Sequence, residues 1–100
     1  MMIETRVIRY RTKTESADEN VRLIEAVFAE LAEKESLGIR YEVFRLDDGV
    51  TFVHVATLDG ENNPLQSSPA FAAFQSTLGG RLEEGPYPAV ATVVGSHGVN

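Results

Sequence analysis

The sequence has no cysteine and no tryptophan, and it carries two histidines and nine lysines plus arginines against fifteen aspartates plus glutamates. Without cysteine there can be no disulfide, thiolate nucleophile, iron–sulfur cluster or zinc site of the cysteine type. His54 and His97 alone leave little material for a metal site, so neither metal nor cofactor is expected. A net charge of −6 opposes nucleic acids and anionic membrane surfaces, and neither is an expected partner. No apolar run approaches the roughly 18 residues of a membrane span. The opening Met-Met-Ile-Glu-Thr-Arg lacks a signal-peptide core, so a cytoplasmic protein is expected. Phosphate loops, the dinucleotide fingerprint and the Gly-x-Ser-x-Gly elbow are missing too, which leaves nucleotide cofactors and hydrolase chemistry without support.

What is present is the composition of an ordinary globular chain, 43% hydrophobic and 24% charged over 100 residues. That length suits one domain spanning residues 1–100 and is short for two. Residues 2–13 are rich in β-branched and aromatic types without Gly or Pro and predict a first strand. Ser16 followed by Glu19 has capping-box spacing, and Val21, Ile24, Phe28 and Leu31 recur at helical steps, with Leu23 and Val27 widening the stripe. Gly38 is the expected C-terminal cap. Residues 39–46 and 50–58 then read as two strands around Asp48-Gly49, a type I′ hairpin signal. That turn sets Arg45 opposite Phe52, Val43 opposite His54, Tyr41 opposite Ala56 and Ile39 opposite Leu58, all on one face. Phe44, Val53 and Val55 fall on the other. Ser68-Pro69 starts a second helix with Phe71, Phe74, Leu78 and Leu82 as its stripe, weakened or ended by Gly79-Gly80. Gly85-Pro86-Tyr87-Pro88 reads as a stop, and residues 89–94 as a fourth strand.

The order β-α-β-β-α-β predicts an α+β, ferredoxin-like sandwich: a four-stranded antiparallel sheet with both helices on one face. The face holding His54, Phe52 and Tyr41 has the larger apolar set and is assigned to the helices. The opposite face then needs a cover, and a second copy of the chain is the expected one.

The βαββαβ order, the strand ending Tyr10-Arg11-Thr12-Lys13, the helix from Ser16 to Leu31 and the segment Ser68-Pro69-Ala70-Phe71-Ala72-Ala73-Phe74 resemble the antibiotic biosynthesis monooxygenase family of dimeric α/β barrels. The resemblance implies a homodimer and a cofactor-independent monooxygenase acting on a small aromatic or polyphenolic compound. The family also contains haem-degrading members. The sequence departs from the family where Leu65 and Ala70 stand at positions often held by histidine. It also lacks the strand-one asparagine, the tryptophan and the helical histidine that haem-degrading members share.

His54, in the apolar strand Phe-Val-His-Val-Ala, is either a general base toward an acidic phenol or a hydrogen-bonded core histidine. Tyr41 and Tyr10 either orient a substrate or pack as core aromatics. Arg9 reaches a ligand, or it pairs, like Arg6 and Arg11, with the helix acids Glu25, Glu30 and Glu33 or with a partner subunit. Phe52, Phe71 and Phe74 line a substrate space or fill it. His97 reads as a solvated tail residue. The alternative to the oxygenase is a non-catalytic dimer of the same fold that binds a small apolar ligand or serves as an interaction module.

Overall fold

The computed structural model describes residues 3–98, and within them the elements run β1 (Ile3–Thr12), a 3-10 turn (Thr14–Ser16), α1 (Ala17–Glu33), β2 (Ile39–Arg45), β3 (Thr51–Asp59), a second 3-10 turn (Pro64–Ser67), α2 (Pro69–Arg81) and β4 (Leu82–Ala91). Met2 and the end of the expected tail lie outside the described residues. The strands form one antiparallel sheet in the order β2-β3-β1-β4. Both helices lie on one face, because a single buried cluster joins Tyr10 and Phe52 of the sheet to Ala17, Ile24 and Val27 of α1 and Phe74 of α2. This is the ferredoxin-like arrangement. No helix among the described residues is long and apolar enough to cross a membrane.

The hairpin has the predicted register, with Val43 opposite His54 and Arg45 opposite Phe52, but its turn is of another type. Gly49 N donates to Leu46 O at 3.0 Å, and Gly49 at φ 79° is the one turn residue with positive φ, whereas a type I′ turn needs two. Asp48 stays in ordinary backbone space and uses its carboxylate as the staple, accepting from Val50 N at 2.9 Å, from Thr51 N at 2.8 Å and from the Thr51 hydroxyl.

Both ends of α1 differ from expectation. Ser16 makes no side-chain cap bond. At the C-terminus, Glu35 rather than Gly38 takes the left-handed position, at φ 48°. Ser36 N donates to Leu31 O and Glu35 N to Ala32 O, the paired bonds of a Schellman motif, which satisfy carbonyls the helix end would leave open. Helix α2 starts as predicted, Ser68 accepting from Phe71 N at 3.0 Å. It does not end at Gly79-Gly80 but runs to Arg81. Two glycines cost about 1 kcal/mol each in a helix, and the last turn is held instead by tertiary bonds: Lys13 N to Arg81 O at 2.8 Å and Lys13 Nζ to Gly80 O at 3.2 Å.

The fourth strand begins at Leu82, not Ala89, and Gly85-Pro86-Tyr87-Pro88 lies inside it. β4 is an edge strand with β1 as its sole neighbour. Only alternate amides are needed there, so prolines two apart are tolerated. The pairing shifts register between Arg9 and Arg11, a bulge placed at Gly85. That residue sits at φ +94°, and a Cβ on it would come within 3.1 Å of Arg9 O and Tyr10 Cβ. Glycine is required there by both conformation and space, and its absence of side chain lets β4 close over Tyr10.

Candidate functional site

A cavity of about 330 Å³ lies between the sheet and α2. Ile8 and Tyr10 of β1, Tyr41 of β2, His54 and Ala56 of β3 and Phe71, Phe74 and Leu78 of α2 all contribute to its lining, and Pro86 and Pro88 of β4 close one side. Strand periodicity explains the grouping: Tyr10, His54 and Tyr41 each project from the helix-facing side of three adjacent strands. Its size is at the low end of the ~300–1,000 Å³ typical of small-molecule sites, which suits a compact aromatic ligand. A second, more open groove between α1 and β2 is lined by Val21, Phe28, Val43 and Phe44 among others. It contains no buried polar group.

Arg6, Asn63 and Gln75 add polar groups to the lining, and a line of five hydrogen-bonded side chains runs into the wall from behind it. Arg81 Nε donates to Asn20 Oδ1 at 2.9 Å, and Asn20 Nδ2 donates to the Tyr10 hydroxyl at 2.9 Å. The Tyr10 hydroxyl lies 2.7 Å from His54 Nε2, and the Tyr41 hydroxyl 2.7 Å from His54 Nδ1. Asn20 is fully buried, Tyr10 is 2% exposed, Arg81 3% and His54 6%, so each must find its partners inside the protein. Rings brace the line: Tyr10 stacks on Phe52 at 5.6 Å, Phe28 stacks on Tyr41 at 5.0 Å, and Phe74 tilts against His54 at 5.6 Å.

Burial decides the protonation states. It lowers the His54 pKa to about 4, so the imidazole is neutral at neutral pH. Burial also pushes the Tyr10 phenol up to about 12, against the opposing pull of its bond from Asn20 and the nearby Arg81 charge. The Tyr41 phenol is raised further, first by burial and then by Tyr10. Arg81 is lowered by burial, offset by Tyr10 and Glu19, and a guanidinium keeps its charge regardless. A neutral histidine thus sits between two protonated phenols.

Of the residues singled out from the sequence, His54, Tyr41, Tyr10, Phe71 and Phe74 line this cavity. Phe52, 1% exposed, lies behind Tyr10 as its stacking support. Arg9 is on the other face, its guanidinium 5.2 Å from the centre of the Tyr87 ring, because residue 9 has the opposite strand parity to Tyr10. Nor do the strand-one arginines pair with Glu25, Glu30 or Glu33: Arg6 meets Glu4 at 3.1 Å and Arg11 meets Glu84 at 3.2 Å. Glu30 instead accepts from Ala70 N at 3.3 Å, at the start of α2. Both nitrogens of His54 are occupied by tyrosine hydroxyls, so neither is offered to a metal or directly to a substrate proton. Among the described residues, no group of three His, Asp or Glu side chains could hold a metal ion.

Two residues of the line, Asn20 and Arg81, escaped the sequence reading. Asn20 had a signal, since it stands four residues before Ile24 and seven before Val27 and so continues their buried stripe. Arg81 had none, because a basic residue in a last helical turn is ordinary.

No family model matches the sequence, and no curated protein matches it. Among solved structures, Rv0793 from Mycobacterium tuberculosis superposes with a TM-score of 0.74 at 14% identity, over 96% of this chain and 99% of that one. SnoaB, a cofactor-independent oxygenase from Streptomyces nogalater solved as a variant, gives 0.69 at 17% identity over 96% and 97%. An antibiotic biosynthesis monooxygenase gives 0.67 at 14% identity over 94% and 100%. Similarity this low in sequence and this complete in coverage is a likeness of backbone architecture. In fold, therefore, this chain is similar to SnoaB and to the antibiotic biosynthesis monooxygenase of known structure.

Proposed function

We propose that this protein binds a small oxygenated aromatic compound in the cavity between the sheet and α2 and oxygenates it without a metal or flavin. The observation that carries the reading is Tyr41: it lines a mostly apolar cavity, and its hydroxyl is held by His54. Likeness to SnoaB, a cofactor-independent oxygenase, supports the reaction class. His54 acts through Tyr41 rather than as the base itself. A phenol held by an imidazole can donate to an oxygen that gains negative charge, and in a cavity of low dielectric such a bond stabilises an enolate or phenolate far more than water would. The methylene gives up one proton to water or buffer, and the enolate so formed reacts with dioxygen at its activated carbon. One oxygen atom stays as a carbonyl, and the other leaves as water with the two hydrogens of the original methylene.

Anthrone tests the reading, because it carries such a methylene opposite a ketone. Dioxygen uptake above the buffer rate, with anthraquinone as product and loss of the increment in Tyr41→Phe, is the expected result. Saturable anthrone binding with no increment would refute the oxygenase and leave the non-catalytic ligand-binding protein as the function.

We further propose that a second copy of the chain covers the sheet face away from the helices. Phe44 is 46% exposed and Leu46 43%, Val53 and Val55 are half-buried beside them, and an uncovered sheet face of this kind favours symmetric pairing. Light scattering should give twice the 11.0 kDa chain mass. Val53→Asp should shift it to monomer or aggregate. A concentration-independent monomer would remove the proposal.

A further inference from the structure

We infer that Arg81, Asn20 and Tyr10 form a directional hydrogen-bond line that fixes His54 as its Nδ1–H tautomer and turns the Tyr41 hydroxyl into a donor for the cavity, so that the site selects ligands with an accepting oxygen such as a ketone, quinone or phenolate. The inference rests on the cavity being the ligand site proposed above.

The direction follows from what each group can do. A guanidinium only donates, so the Asn20 atom 2.9 Å from Arg81 Nε must be the carbonyl oxygen, which removes the usual ambiguity of amide orientation. The amide nitrogen is thereby turned to the Tyr10 oxygen, 2.9 Å away. With that oxygen accepting, the Tyr10 hydrogen has one acceptor within reach, His54 Nε2 at 2.7 Å. Nε2 is then bare, and a neutral imidazole carries its hydrogen on Nδ1, 2.7 Å from the Tyr41 oxygen. Tyr41 accepts that bond. Its own hydrogen has no further partner among the described residues and is left for whatever occupies the cavity.

Arg81 can serve as the origin because it cannot turn. Nη1 donates to the Thr77 hydroxyl at 2.6 Å, Nη2 donates to Phe74 O at 3.0 Å, and the guanidinium lies 5.2 Å from the centre of the Phe74 ring. Arg81 and Asn20 do not line the cavity. They are positioning residues that act on the ligand through Tyr10, His54 and Tyr41.

Asn20→Asp, nearly isosteric and still paired with Arg81, reverses the line. A carboxylate accepts from both Arg81 and Tyr10, so Tyr10 accepts from His54 Nε2–H, Nδ1 accepts from Tyr41, and Tyr41 offers the cavity lone pairs in place of a hydrogen. Nitrogen NMR on histidine-labelled protein reads the tautomer, with exposed His97 as the internal reference. The wild type should show Nδ1–H for His54, and Asn20→Asp should show Nε2–H. The bicyclic probes 1-indanone, which only accepts, and indole, which only donates, then read the selectivity. Wild-type protein should prefer 1-indanone by about three- to tenfold, the contribution of one hydrogen bond, and Asn20→Asp should prefer indole. A wild-type His54 protonated on Nε2 would overturn the inference, and this measurement needs no variant. So would an Asn20→Asp protein whose tautomer matches the wild type. Neither readout involves anthrone turnover, so failure of the oxygenase reading and failure of this one are separately visible.

Discussion

Lowering the pH from 7 to 4 should destabilise this protein chiefly through one residue, His54. In the unfolded chain its imidazole takes up a proton near the ordinary value of 6.5, whereas burial in the folded protein lowers that value to about 4. Between the two the unfolded state holds more protons, so stability rises with pH; the contribution is complete above about 6.5 and is lost as pH falls through about 4. A depression of this size corresponds to about 3 kcal/mol, a large fraction of the total for a domain of this size. The hydrogen-bond line gives the loss a structural cause. Protonating His54 adds a donor at Nε2, where the Tyr10 hydrogen already points, and strands one of them. Urea titrations followed by tyrosine fluorescence at pH 7, 6, 5 and 4 would measure the loss, and the absence of tryptophan makes that signal clean. The wild type should lose up to about 1.4 kcal/mol per pH unit in the middle of this range. His54→Gln, which cannot titrate, should lose little before carboxylates such as Glu30 and Asp48, themselves held below their usual values, begin to protonate. Parallel curves for wild type and His54→Gln between pH 6.5 and 4 would refute the reasoning.

Arg81→Met should cost about 1–3 kcal/mol in thermal or urea unfolding, because Asn20 Oδ1 is left buried without its donor; a loss below about 1 kcal/mol would show that the line is not structurally engaged. Ala56→Phe places a ring in the cavity that Ala56, 8% exposed, helps to line. It should abolish anthrone binding while leaving the circular dichroism spectrum unchanged, and unimpaired binding would put the ligand elsewhere.

Element order and hairpin register were legible because both are consequences of local chemistry. A strand alternates sides every residue, so a short turn between residues 45 and 52 fixes every later pair whatever the exact turn geometry. That is why the register of β2 and β3 matches although Asp48 avoids positive φ. Ser68-Pro69 likewise marks the start of α2 through its own hydroxyl and its own missing amide.

The misread boundaries share a different cause. Gly79-Gly80 weakens any isolated helix and Gly85-Pro86-Tyr87-Pro88 interrupts any isolated strand, yet both stretches sit inside regular elements. Lys13, just beyond the end of β1, holds the first in place, and the edge position of β4 excuses the second. Information about those partners lies far away along the chain: Lys13 is 67 positions from Gly80, and Pro88 pairs with Ile8. Burial in the wall of the cavity was a similar matter. The sequence alone determined that His54 and Tyr41 share a face with Phe52, since two-residue periodicity requires it. Only the tertiary structure decided that Tyr10 would reach one nitrogen of His54 and Tyr41 the other, and that Asn20 and Arg81, 61 positions apart, would meet behind them. Hydrogen bonds of this kind depend on angstrom-scale distances between elements brought together by packing, and no pattern of residue types within one element carries that distance.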